Sequence, residues 1–319
     1  MNRPNIAEER AKLRSKCVYM ADDDFLQLVQ WYKLQDFDRV VTVREAERFE
    51  GQQAAAAFLD PLEEPEVLPP RPAVLAAIVR FRSHDGFYLS ACGGWTPASP
   101  FRGGPKSFAQ CRPSAIAEDP RNIPDIEGDF ETGMRQMVEL CNEQSPGPQA
   151  VGLIDWSNMY LHRGFKVGHR IFEKKSAGCQ LAVDEEEEEE EEEDDPEFRI
   201  DGWPVQNNAA AQAELNRLRD THITRPIPAY DIAGNRIRPS RYAAELRGAV
   251  VRLEFYLIHR VIDERHVFSA DVKRIRVLVP PPPFDTPTPK RKRVAKYDDF
   301  DDDSEEAYPP TPTKSRRLR

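Results

Sequence analysis

The sequence predicts an α+β protein built on a small antiparallel barrel or strongly curved sheet, elaborated with helices and long loops and closed by a disordered tail. Three observations predict this. Two long β-prone runs, 249–262 and 266–279, are joined by the polar turn Asp263-Glu264-Arg265. Apolar residues recur at helical spacing in several separate stretches. The 28 prolines cluster between Pro61 and Pro72, between Pro97 and Pro124 and beyond Pro280. There a fixed φ and a missing donor favour loops and linkers.

Taken in order, residues 1–60 read as a helical N-terminal segment. Asp22-Asp23-Asp24 precede Phe25, Leu28, Val29 and Tyr32, apolar at helical spacing, so 25–32 reads as a short amphipathic helix with acids at its dipole-favoured end. Residues 44–59, with four consecutive alanines from Ala54, read as a second helix. A Pro/Glu-rich linker spans 61–72, and the core is expected over 73–280. Residues 73–82 are strand-like, and Asp85-Gly86 then points to a hairpin returning through 87–91. Residues 93–129 read as a long irregular excursion. Phe130, Met134, Met137, Val138 and Cys141 mark a helix over 130–142, and alternation over 165–174 marks a strand. Helices are expected over 208–220 and 240–247, the latter ended by Gly248.

In the strand 249–262, Val251, Leu253, Phe255 and Leu257 share one face, while Arg252, Tyr256 and Arg260 share the other. On the return run Phe268, Ala270 and Val272 have one parity, but Ile275, Val277 and Val279 have the opposite one. The switch at Lys273-Arg274 predicts a β-bulge.

The chain carries a net charge of −10, which misleads. The run 184–195 holds twelve carboxylates, so the remainder stands at +2, and residues 198–280 alone stand at +5. A mildly basic body with an acidic insertion over 181–197 permits a polyanionic partner. Five cysteines, odd in number and without a Cys-x-x-Cys pair, argue for reduced thiols in the cytosol or nucleus and against a zinc knuckle. The first 30 residues lack an apolar signal region. No apolar run approaches the ~18–20 residues that span a bilayer, so no membrane partner is expected.

The residues that carry chemistry are basic and aromatic. Arg252, Tyr256 and Arg260 on one strand, Lys166 and Arg170 on another, and Arg274 and Arg276 on the return run form a candidate nucleic-acid-binding set. Cations follow the phosphates of a single strand, and flat rings stack its bases. The bland alternative is the wet face of an ordinary antiparallel sheet. The acidic run offers a second function, contact with histones or other basic proteins, against the alternative of a solvated loop.

Residues 281–319 form the expected disordered tail. Lys290-Arg291-Lys292-Arg293 in its proline-rich setting is an import signal for a nuclear import receptor, which places the chain in the nucleus. Thr288 and Thr311 each precede proline and a nearby Lys/Arg, as proline-directed kinases require. Phosphate at Thr288 would offset the cluster's charge. No histidine lies in a His-Glu-x-x-His setting, and no Gly-x-Ser-x-Gly or phosphate loop is present. No catalytic residue, metal or cofactor is therefore expected, and an unrecognised nuclease is the weakest of the three readings.

Residues 226–235 read Pro-Ile-Pro-Ala-Tyr-Asp-Ile-Ala-Gly-Asn. Tyr242 then leads through Gly248 into Ala249-Val250-Val251-Arg252-Leu253, and the chain returns through Ile275-Arg276-Val277-Leu278. This order of proline, acidic-glycine turn, short helix, glycine, long strand, hairpin and final strand resembles the last part of phage-type single-stranded DNA-binding proteins of the OB fold. The similarity spans residues 226–280 and implies an OB-like barrel that binds single-stranded DNA or RNA. The phage pattern ends in an acidic element, whereas here the acidic run is internal and the terminus basic, so no tail-mediated regulation carries over. The same stretch is similar to protein families of mushroom-forming fungi, which suits a nuclear tail.

Overall fold

A computed structural model describes residues 4–56, 67–97, 107–145, 152–154, 164–175, 195–205 and 208–282. Asn5 caps the first helix, α1 (Ile6–Lys16), by accepting from the Ala7 N–H at 3.1 Å. β1 (Val18–Tyr19), α2 (Phe25–Leu28), β2 (Val29–Lys33), β3 (Asp38–Thr42) and α3 (Val43–Ala56) follow. β4 (Leu75–Phe81) and β5 (Ser114–Glu118) lead to α4 (Asp129–Gln144). β6 (Phe165–Gly168), β7 (Phe172–Lys174), α5 (Ala209–Leu218), β8 (His222–Thr224) and β9 (Ala229–Tyr230) come next. The short α6 (Tyr242–Leu246) feeds the long hairpin of β10 (Val250–Ile262) and β11 (Arg265–Val279).

Nine strands form one mixed sheet, and β7 pairs antiparallel with β8 in a small second one. β10 is the hub. It pairs antiparallel with β11, with β4 and, near its far end, with β3. β4 pairs antiparallel with β5, and β5 with β6. β6 then lies parallel to β11 through Ala270↔Val167 and Asp271↔Gly168. The pairings β4–β5–β6–β11–β10–β4 therefore return to their starting strand.

The core is what the alternation of β10 demands: Val251, Leu253, Phe255 and Leu257 are all fully buried. They meet the inner face of α4, including Met134, Met137 and Leu140. Trp31 of β2 donates its indole N–H to the Leu140 carbonyl at 2.8 Å, which ties the β2–β3 hairpin to the end of that helix. A second apolar cluster of Trp95, Phe108, Phe172, Trp203 and Leu215 lies beneath β7 and α5. Trp203 there donates to the Ala91 carbonyl at 2.9 Å. The described residues all belong to one unit, Met1–Pro282.

The inferred bulge is present. Glu254 faces Arg274 and Phe255 faces Val272, so Lys273 is the extra residue. Asp263 and Glu264 both adopt positive φ, 49° and 62°, the backbone sense that matches strand twist in a tight hairpin.

Several expectations are corrected. The helix read over 25–32 stops at Leu28, because Val29–Lys33, with Trp31 and Tyr32, pairs with β3 instead. Residues 87–91 are not the return strand of a hairpin. β4 pairs with β5, far along the chain, and Tyr88 contributes an N–H to the Ser114 carbonyl at 2.7 Å. The stretch 93–129 thus contains a core strand, Ser114–Glu118. The single strand read over 165–174 is two strands in two sheets. The sheet is mixed rather than antiparallel, with parallel pairings of β1 to β4, β6 to β11 and β9 to β11. The N-terminal segment supplies β1, β2 and β3 besides its helices.

Candidate nucleic-acid interface

Along β6, Phe165 and Val167 point into the core and Lys166 points out. Gly168 lies on the same outer side, and the space above it belongs to Arg112: a Cβ built on Gly168 would stand 2.9 Å from Arg112 Nε. Arg112 is aimed there by its neighbours. Cys111 is buried with its thiol 3.1 Å from the Cys92 carbonyl, and Pro113 fixes the entry into β5. Across Gly168, the Arg112 guanidinium forms an ion pair with Asp271 of β11, whose register partner on β6 is Gly168 itself.

Asp271 also faces Tyr256 of β10. The ammonium of the bulge residue Lys273 lies 5.9 Å from the Tyr256 ring centre. Further along β10, Arg260 packs over Phe37 at 5.1 Å from the ring centre. Ser269 lies between, opposite Ile258, and its hydroxyl has no hydrogen-bond partner among the described residues.

Arg112, Lys166 and Arg260 are shifted by neighbouring cations, Arg170 among them. Removal from bulk water, and then the charges of Arg260 and Arg170, pull the Arg112 guanidinium down to about 10. Lys166 is lowered by partial removal from water and by Arg112, and Arg260 by the same loss of water and by Arg170. Asp271 is the carboxylate that pairs with this group. Among the described residues none lies within ion-pair distance of Lys166, Arg170 or Arg260. The arrangement is a cationic patch with one internal counter-ion and an aromatic ring beside it.

The other residues of the predicted set lie apart. Arg252 is not free: it pairs with Glu254 at 2.6 Å and with Glu9 of α1 at 3.2 Å, and its side chain is only 12% exposed. Arg276 stands opposite Arg252, and Arg274 lies opposite Glu254 and over the Tyr230 ring at 5.8 Å. The outer face of β10 therefore divides. Its first half is an internal ion-pair cluster under α1, and its second half joins Lys166 and Arg170. The import block Lys290–Arg293, Thr288, Thr311 and residues 184–194 of the acidic run lie outside the described residues. Asp195, the last acid of that run, accepts from the Glu197 N–H at 3.0 Å and pairs with Arg238 at 2.6 Å.

Two features were missed from the sequence. Arg112 sits in the stretch read as irregular. The short apolar run Ala115-Ile116-Ala117 after Pro113 was the available signal of a buried strand there. The second feature is a chain of polar groups. Asp38 of β3 accepts from His259 Nδ1 at 2.8 Å, and His259 Nε2 lies 2.9 Å from His266 Nδ1. With Nδ1 donating to the carboxylate, a neutral His259 presents Nε2 as acceptor to His266. His259 is buried against Trp31 and Phe268, so the chain fastens the hairpin to β3. No sequence spacing links residues 38, 259 and 266.

Among the described residues no group of three or more His, Cys, Asp or Glu is placed to hold a metal ion, and no helix is long and apolar enough to cross a membrane. Comparison of the chain with family models, with curated proteins and with solved structures found no match.

Proposed function

We propose that this protein binds single-stranded nucleic acid, without catalysis, on the outer face where β5, β6, β11 and β10 adjoin. The observation that carries the reading is the grouping of Arg112, Lys166, Arg170 and Arg260, in which Arg112 pairs with Asp271 beside Tyr256. Cations held together against their own repulsion favour a polyanion, and an adjacent ring offers a stacking platform.

The strand pairing supports the finer reading of the fold as OB-like. The five strands β4, β5, β6, β11 and β10 pair in a cycle in that order, each with two others of the five. An OB fold is a five-stranded Greek-key barrel whose second and third strands, with two flanking loops, take oligonucleotides. The second and third strands here are β5 and β6, which bring Arg112 and Lys166 to the patch.

Tyr256→Ala tests the stacking role. Affinity for fluorescently labelled oligo-dT should fall by about 1–3 kcal/mol, the worth of one base stacked on a ring. Unchanged affinity would remove Tyr256 from the interface. The block Lys290–Arg293 supplies nuclear import in this reading. Replacing its four residues with alanine should leave a fluorescent fusion in the cytoplasm, and undiminished nuclear accumulation would refute that role.

A further inference from the structure

We propose that Asp271 occupies the seat of a phosphate group: its carboxylate pairs with Arg112 of the cationic patch in the empty protein, and a nucleic-acid phosphate displaces it from there. The inference rests on the nucleic-acid reading and names the site within it.

Three features of the geometry carry it. First, a carboxylate and a phosphate both present paired oxygens to the flat guanidinium fork, so they compete for the same donors. Second, Arg112 is laid against β6 by the absence of a side chain at Gly168, and Asp271 meets it from the adjoining strand. The guanidinium is thus fixed by the backbone, and the carboxylate is the partner that can exchange. Third, a ligand can reach the two side chains, which are 36% and 35% exposed, although the contacting Arg112 Nη2 and Asp271 Oδ1 are covered while the pair is closed.

The charge balance points the same way. One carboxylate among Arg112, Lys166, Arg170 and Arg260 leaves the group with a net positive charge. A phosphodiester brings a further negative charge to the cations that depress one another. Once displaced, Asp271 has new donors within its own strand. Ser269, two residues before it on the same face, carries a hydroxyl without a partner among the described residues, and the ammonium of Lys273 follows at the bulge. Asp271 thereby lowers the affinity for any single phosphate and makes binding depend on several contacts at once.

The test is Asp271→Asn, which keeps shape and removes charge, titrated with labelled oligo-dT beside the wild type. Affinity should rise by about two- to fivefold, the size of a partly exposed competing ion pair. The slope of log affinity against log salt should stay near that of the wild type, since Arg112 meets a phosphate in both. Asp271→Ser should act alike, which covers the case in which the asparagine variant folds poorly. In an Arg112→Ala background the gain from Asp271→Asn should vanish. If the wild type binds with salt-sensitive affinity and both folded Asp271 variants bind equally or more weakly, the proposal is overturned and the nucleic-acid reading stands. If neither wild type nor variants bind, both fail.

Discussion

Arg252→Ala should destabilise the protein by about 3–5 kcal/mol, because it removes the shared cation from two buried carboxylates. Glu9 and Glu254 have side chains only 4% and 6% exposed, and Arg252 bridges them across 3.2 and 2.6 Å. Without it, Glu254 loses the cation at 2.6 Å, Glu9 keeps its pair with Lys12 at 2.7 Å, and α1 loses its polar tie to β10. Thermal or urea unfolding measures the effect. Replacing Arg252, Glu9 and Glu254 together by methionine should recover most of the loss, since the penalty lies in the unpaired charges and not in the volume. A loss under 1 kcal/mol for the single variant would show that water reaches the cluster.

The same cluster sets a pH dependence. Burial opposes the charge on Glu9, but hydrogen bonds from Lys12 and Arg252 outweigh it and hold its carboxyl below the ordinary 4.5. A depressed carboxyl stabilises the fold above its unfolded value, and that contribution is lost as pH falls through the lower, folded value. The midpoint of unfolding should therefore drop on acidification below about pH 4.5, and less so in the triple methionine variant.

The second large effect concerns binding. Replacing Arg112, Arg170 and Arg260 together by alanine should weaken oligo-dT affinity by a factor on the order of a hundred to a thousand, at about 1–1.5 kcal/mol for each charge-assisted contact. Stability should change little by comparison, because these cations repel one another in the empty protein and Arg170 is exposed. Arg252, by contrast, should contribute to folding and not to binding. The two variants therefore separate the halves of the same strand face.

Alternation along β10, the return of β11 and the bulge at Lys273 were legible in the sequence, because each is a local pattern of parity. The helix α4 was legible from apolar residues at helical spacing and α3 from its alanine run, and α5 falls within the helix expected over 208–220. Pairing was not legible. β5 is separated from β4 by more than thirty residues, and its five residues sit among prolines and glycines that dominate any short window. The strand β2 was hidden because Phe25, Leu28, Val29 and Tyr32 satisfy a helical period, while tertiary pairing with β3 decides the outcome.

The candidate site followed the same division. Parity alone put Arg252, Tyr256 and Arg260 on one face, and they do share it. Which of them meet solvent depends on α1, whose Glu9 covers Arg252 from far away in the chain. Lys166 and Arg170 were found by alternation, and Arg112 joins them only because β6 and β11 run side by side and Gly168 leaves room above the strand.

The most direct test of the central claim is a fluorescence titration of wild-type protein with labelled oligo-dT at two salt concentrations, about 50 and 200 mM. Four phosphate contacts, from Arg112, Lys166, Arg170 and Arg260, predict a slope of log affinity against log salt near −2.8, at about −0.7 per contact on a single strand. Affinity should thus fall roughly fiftyfold over that range, and the Arg112/Arg170/Arg260 variant should show a slope nearer −0.7. Absence of any salt-sensitive affinity in the folded wild-type protein would contradict the account.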